Sequence, residues 1–463
     1  MRYSLRMLDR FFAITERGST PRREVLGGVT TFVTMAYIIV VNPAILSAAG
    51  IPIGPGTVAT ILTAAFGSLL MGLYANRPIA VAPYMGENAF IAFGLVAMGA
   101  TWEQRLGSVF VAGVIFLLLT LFQVRAKLAH AISHSLKHSF AAGIGLFLAY
   151  IGLYETGIVT SGAAGLPPQA LLAAGQTLLR APDVPVKIGA FHEPQVLLAI
   201  TGFVVMVLLM LRRVPGAILL GIAATAVAGF ALGFAQPPSA ITAMPFTGEY
   251  TLTAVAFKLD IAGVLQVSFL PVLLTLVLMS FLDTLGTLVG VGAAGNMLDK
   301  DGNFPQVERP MLVDALSCIF ASLVGTSTSG AYIESATGIR EGARTGLAAV
   351  VTGLLFAAAL FFVPLVAPLQ QSRYAYGPAL VAVGMLMLGS VRKIDFDDLT
   401  ETVPAFACIV LMVFTYNIAN GLTAGLVLYP LAKAAGGKWR DVNAGSLVLA
   451  ALCAAYYLVG LPH

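Results

Sequence analysis

Two carboxylates stand where a chain this apolar has least reason to keep them. Asp283 lies in Ser280-Phe281-Leu282-Asp283-Thr284-Leu285-Gly286-Thr287-Leu288, and Glu334 in Ser329-Gly330-Ala331-Tyr332-Ile333-Glu334-Ser335. A charged carboxylate at the centre of a bilayer costs about 2.5–3.5 kcal/mol even on lenient insertion scales, so each should face protein or water and have a use there. The stretch 325–346 around Glu334 is dense in Gly, Ser and Thr. Such residues interrupt helices, and interrupted backbone is tolerated in a membrane only where it is buried or lines a cavity. Two acids beside interrupted backbone are the chemistry of a solute site in a transporter. The carboxylates accept from ligand N–H groups, and freed helix N-termini donate to ligand acceptors.

Each candidate has a plainer reading beside it. Asp283 is a ligand acceptor, or a structural carboxylate held by Thr287 one turn on. Glu334 is a second acceptor, or half of an ion pair, although Arg340 and Arg344 are the only nearby bases. Glu87 and Asn88 open a short helix, as ligand contacts and relay or as caps for freed backbone groups. Phe90, Tyr332 and Ile333 lay side chains or N–H groups against a planar ligand, or pack in the core. Thr34, Ser329 and Gly330, with Thr326 to Thr328, line the site or bond helix to helix. An acid withdrawn from water favours its protonated form, which makes Glu87, Asp283 and Glu334 the candidates for carrying a proton. Gly286 and Gly290 have the spacing of close helix packing. His130, His134 and His138 share one helical face at metal-ligand spacing, but the adjacent Lys127 and Lys137 favour a headgroup-facing linker. No metal and no cofactor are expected.

The elements that hold these residues are helices in lipid. Of 463 residues, 58% are hydrophobic and only 10% charged, against about 25% in soluble domains, and mean hydropathy is +0.90. Many runs reach the ~20 residues that cross a bilayer, without the short alternating segments of a β-barrel. The chain reads as an all-α polytopic membrane protein of the inner or plasma membrane. Its net charge of +4 sits in short loops and implies no nucleic acid partner. Cys318, Cys408 and Cys453 lie in apolar runs as buried hydrophobes, with no disulfide framework. The charged start, residues 1–23, holds no cleavable signal. No H-E-x-x-H or G-x-S-x-G motif points to an enzyme.

Fourteen apolar segments run from 25–48 to 420–435, and a further stretch at 444–460 either crosses or lies at the interface. The first has a clear start, with Thr20 as N-cap and Pro21 at the first helical position. Arg2, Arg6, Arg10, Arg17, Arg22 and Arg23 place the N-terminus in the cytoplasm. Arg77, Arg125/Lys127/Lys137, Arg212/Arg213, Lys300/Arg309, Arg340/Arg344 and Arg392/Lys393 fall on the same side. The loops 159–193 and 236–261 are then external. The segment 327–340 is too short to cross and reads as a half-helix. Gly86–Gly94 resembles Ser329–Glu334, superposing Ala89 on Ala331, Phe90 on Tyr332 and Ile91 on Ile333. Each follows a run read as non-helical, Arg77–Pro83 and Ser322–Thr328. Paired interruptions in two halves point to a site at the membrane midplane, and seven segments per half require the second repeat to be inverted.

Longer motifs carry a family resemblance. The run from Leu8 through Glu24-Val25-Leu26-Gly27-Gly28 to Asn42-Pro43 resembles the AzgA-like purine permeases. So do Asp283-Thr284-Leu285-Gly286-Thr287-Leu288, Tyr332-Ile333-Glu334-Ser335, Gly342-Ala343-Arg344-Thr345-Gly346-Leu347 and Asn417-Ile418-Ala419-Asn420-Gly421. These permeases are a branch of the nucleobase–cation symporters related to the nucleobase/ascorbate transporters. The resemblance, over residues 8–443, implies 14 transmembrane segments in two inverted repeats of seven, broken in segments 3 and 10. It implies a core domain from 25–124 and 262–366, and a gate domain from 125–235 and 367–443. Flanking these are the cytoplasmic segment 1–24, the external linker 236–261 and the apolar 444–463. It further implies proton symport of purine bases by an elevator-like motion, with Asp283 and Glu334 matching the family's substrate-holding positions. Glu87 stands where the family often has a small or apolar residue. The related fold leaves a homodimer open. The alternatives are an anion transporter of the same fold, of sulfate or bicarbonate type, and a pyrimidine- or xanthine-specific permease.

Overall fold

In the computed structural model, the described residues are 2–97, 99–122, 131–164, 185–299 and 304–459. Arg125, Lys127, His130 and Lys300 lie outside them. A short helix, Arg2–Phe12, precedes the bundle. The first half runs α1 (Pro21–Met35), α2 (Ile38–Ser47), α3 (Ile53–Leu70), strand β1 (Val81–Pro83), α4 (Met85–Ala89), α5 (Trp102–Leu121), α6 (His134–Glu155), α7 (Pro194–Leu211) and α8 (Ala217–Ala231). The second runs α9 (Leu270–Ala294), α10 (Glu308–Val324), β2 (Ser329–Ala331), α11 (Ser335–Arg340), α12 (Gly346–Ala359), α13 (Val363–Gln371), α14 (Arg373–Leu388), α15 (Leu399–Phe414), α16 (Ile418–Ala435) and α17 (Ala444–Val459). Among the described residues eight helices are long and apolar enough to cross a membrane, and α8, α15 and residues 444–455 are shorter apolar helices.

The helices pack in two sets. In one, α3 lies against α2, α10 and α12, α5 lies against α9 and α10, and α1 crosses α11 and α12. In the other, α14 and α15 pack on α6, α7 and α8 on α14, and α16 on α15. The α1 start is as expected: Thr20 accepts from the Arg23 amide and Pro21 fills the first turn. A second proline has a larger effect. Pro43 inside α2 offers no N–H to the carbonyl of Ile39. The Gln370 amide supplies the missing donor at 2.8 Å.

The strands β1 and β2 pair antiparallel, with Val81 opposite Ala331, Ala82 opposite Gly330 and Pro83 opposite Ser329. Buried backbone cannot be left unpaired without water, and side chains satisfy what the two strands cannot. Ser68 Oγ accepts from the Val81 N–H and donates to the Val81 carbonyl, both at 3.0 Å. Cys318 Sγ does the same for Ser329, at 3.3 and 2.9 Å. The Tyr84 N–H donates to Thr328 O and the Tyr332 N–H to Ala80 O, both at 2.9 Å. The pair is thus locally two-fold, matching Val81 with Ser329 and Tyr84 with Tyr332.

This geometry corrects four expectations. The register of Ala89 on Ala331 is six residues out, because Ala331 lies in a strand and Ala89 ends a helix. The half-helix 327–340 is a strand followed by a helix only from Ser335 to Arg340. The run before it begins at Gly325, since α10 continues through Val324; Gly325 ends α10 at φ +98°, where a Cβ would meet Val255 at 2.5 Å. Gly286 makes no close helix contact: a Cβ there meets nothing within 4 Å among the described residues. Gly290 does meet a neighbour, the Ile333 side chain.

Candidate functional site

One turn of α9 organises the acids. Ser280 Oγ donates to Glu87 Oε2 at 2.9 Å, and Thr284 Oγ1 donates to Asp314 Oδ2 at 2.8 Å. Asp283 lies between these two hydroxyls and has no hydrogen-bond or ion-pair partner among the described residues; Thr287 does not hold it. The face that carries Asp283 continues through Gly286, where the space is open, to Gly290 beneath Ile333. Ile333 is itself 53% exposed. Asp283 is thus an unpartnered carboxylate above an open notch.

Glu334 follows β2. Tyr37 Oη donates to Glu334 Oε1 at 2.7 Å, from the turn between α1 and α2. The Glu334 carbonyl accepts from the Thr337 N–H and hydroxyl, and Thr337 Oγ1 lies 3.2 Å from Thr34 Oγ1. Thr34 in turn donates to its own helix at Thr30 O. Tyr332 is within electrostatic reach of both Asp283 and Glu334, while its hydroxyl donates to the Pro83 carbonyl. Glu334 is therefore held by a hydroxyl, with neither Arg340 nor Arg344 pairing with it.

Asp314 is a fully buried acid that the sequence reading passed over. Its Oδ2 also accepts from the Ala331 N–H at 3.0 Å and from Tyr84 Oη at 3.4 Å. One oxygen of Asp314 and one of Glu87 lack a hydrogen-bond partner. An unsatisfied buried polar group costs about 1–3 kcal/mol. The signal for Asp314 was a lone acid inside an apolar helix. Tyr37 and Tyr84 gave no signal, since a tyrosine in an apolar run reads as packing.

Other expected site residues are engaged elsewhere, although Asn88 Oδ1 is buried without a partner. Asn88 Nδ2 donates to Asn42 Oδ1, and Asn42 Nδ2 donates to Thr60 and Thr326 at 2.8 and 2.9 Å. This wholly buried amide network ties α2, α3 and α4 to the run before β2. Ser329 bonds Ser317 hydroxyl to hydroxyl at 2.8 Å, and a Cβ at Gly330 would strike the Tyr84 ring. Phe90 is fully buried with its ring against Gly94. Glu24 accepts from the Arg344 and Thr345 amides at 2.8 and 3.2 Å, so the Gly342–Leu347 motif forms a joint between α1 and α12. The rings of His134 and His138 meet Nε2 to Nε2 at 3.2 Å. Among the described residues no three His, Cys, Asp or Glu side chains are grouped to hold a metal ion.

Long apolar helices, strands paired back to back and acids without counter-charge define an integral membrane permease. The chain belongs to the Permease family designated Xan_ur_permease, which it matches over residues 22–423. It is 38% identical over 447 residues to the adenine permease AdeP of Escherichia coli (strain K12), covering 96% of this chain and 95% of that one. It is 36% identical over 444 residues to the guanine/hypoxanthine permease PbuO of Bacillus subtilis (strain 168), covering 95% and 98%. Among solved structures it resembles the transmembrane domain of a cyanobacterium bicarbonate transporter, BicA, with a TM-score of 0.58 and 16% identity, covering 87% of this chain and 97% of that one. At that identity the likeness is one of fold alone.

Proposed function

We propose that this permease imports purine nucleobases by proton symport, with Asp283 and Glu334 as the acceptors that hold the base. The observation that carries the reading is Asp283, a carboxylate without a partner above the open space at Gly286. Relatives named for adenine and for guanine/hypoxanthine support the substrate class. A purine is neutral and flat, and its edges carry N–H donors. A site built to bond those edges rejects analogues that leave its buried groups unpaired.

Proton coupling is supported by the acids themselves. Glu87, Asp283, Asp314 and Glu334 have no Lys, Arg or His partner among the described residues, so a proton taken up by at least one of Glu87, Asp283 and Glu334 supplies counter-charge that the protein does not. The same lack of cationic partners weighs against the anion alternative.

Alternating access is proposed as an elevator motion of a core domain (25–124 and 262–366) against a gate domain (125–235 and 367–443). The two packed helix sets support this division. The two-fold hydrogen bonding of β1 and β2 supports fourteen segments in two inverted repeats, interrupted in segments 3 and 10. The Arg/Lys-rich loops support a cytoplasmic N-terminus.

The deciding experiment is thermal stability of the purified protein against adenine, guanine, hypoxanthine, xanthine, uracil and sulfate. A ligand of the folded state stabilises by about 2.7 kcal/mol at a hundredfold excess over Kd. A shift with purines that disappears in Asp283→Ala is expected. A shift with sulfate or uracil alone refutes the substrate class. Uptake driven by an external sodium gradient, with no response to pH, refutes the coupling ion.

A further inference from the structure

A cavity of about 320 Å³, lined by none of the four acids, lies between α2 and α13 on one side and the ends of α6 and α14 on the other. Its volume is at the lower end of small-ligand sites, about 300–1,000 Å³. Phe93, on the continuation of the helix that carries Glu87, and Tyr376 supply aromatic walls, with Ile45 and Leu380 as apolar lining.

Gln370 and Glu155 line the cavity. Gln370 is 2% exposed. Its Nε2 is committed to Ile39 O and Thr57 Oγ1, both at 2.8 Å. The orientation is forced, since a carbonyl can only accept and Pro43 has left that of Ile39 without its helical donor. Gln370 Oε1 then remains buried with no partner, closed off from the cavity itself. The acceptor open to the cavity is Glu155, paired with Arg373 at 3.3 Å and accepting from Tyr376 Oη at 3.1 Å. That pairing leaves the lining without net charge. The Glu155 carboxylate and the two aromatic walls suit a neutral ligand with N–H donors and flat faces.

We propose that this cavity is a second binding site for the transported class of compound, a neutral planar N–H-bearing heterocycle, occupied apart from the acid site. The proposal rests on the purine reading above. The two helix sets meet across the cavity, so an occupant contacts both at once.

Equilibrium dialysis of the full-length purified protein with labelled adenine, guanine and hypoxanthine tests it by counting. Gln370 variants also expose the Ile39 carbonyl and risk misfolding, so the cavity is filled instead from its exposed Ala48. Two equivalents of base are expected for the wild type. One is removed by Ala48→Phe and the other by Asp283→Ala, with the Ala48→Phe melting temperature unchanged. One equivalent in the wild type, lost in Asp283→Ala and untouched by Ala48→Phe, overturns the second site and leaves the purine reading standing. Two equivalents that both survive Ala48→Phe overturn its location. No binding of any base overturns both.

Discussion

Tyr37 was invisible as a site residue, which makes it the sharpest test of the geometry. Its hydroxyl is 2.7 Å from Glu334 Oε1 and the side chain is 1% exposed. Tyr37→Phe removes one oxygen and leaves the ring, so packing is conserved and only the hydrogen bond is lost. A bond to a charged group contributes about 1.5–3 kcal/mol. Glu334 is only half-buried, so water replaces part of the lost donor and the lower end applies. Every 1.4 kcal/mol is about a tenfold change in affinity. If Tyr37 acts by aiming Glu334 at the base, Tyr37→Phe raises Kd about tenfold in calorimetric titration of the purified protein. The change must also vanish when Glu334 is already Ala, because contacting partners are not additive. Tyr37→Phe/Glu334→Ala should therefore bind no more weakly than Glu334→Ala. A further tenfold loss in the double variant refutes the reasoning, since Tyr37 would then act independently of Glu334.

Two glycines separate packing from ligand space. Gly338→Ala puts a Cβ 2.2 Å from the Gly27 carbonyl oxygen where α11 crosses α1; overpacking of about 1–3 kcal/mol should lower the melting temperature. Gly286→Val meets open space and should leave melting unchanged while weakening base binding at least tenfold; unchanged binding would remove the notch from the site. Ser68→Ala strips both backbone partners from Val81 and should destabilise more than Cys318→Ser, which keeps a donor and an acceptor in place; equal melting temperatures would count against the strand account. Before α15, Lys438 at 2.8 Å, the Thr400 hydroxyl and Lys433 hold the Asp398 carboxyl well below the usual carboxylate range. Its folded value lies below its unfolded one, so its contribution is complete above about pH 4 and fades as pH falls toward the folded value. The melting difference between wild type and Asp398→Asn should shrink below that pH; a constant difference from pH 7 to 3 would show that the charge plays no part.

The sequence by itself pointed to the class of fold and to three of the four acids, Glu87, Asp283 and Glu334. Apolar length and basic loops need only local composition, and the structure begins α7 at Pro194 and ends it at Leu211 where the hydropathy pattern does. Asp283 and Glu334 were legible because an acid in lipid is expensive wherever the chain takes it. Partnership was another matter. Tyr37 and Glu334 are 297 residues apart, and nothing in either neighbourhood encodes the other. The strand register failed for a related reason. Three residues are too few to show a period, so similarity of letters placed Ala89 on Ala331 where hydrogen bonding pairs Val81 with Ala331. Only the tertiary structure decided which polar side chains spend their bonds on freed backbone, as Ser68, Cys318 and Gln370 do, and which acids are left with oxygens free to accept. Satisfaction of buried polar groups is a property of the whole enclosure, and it is settled when distant segments close around it.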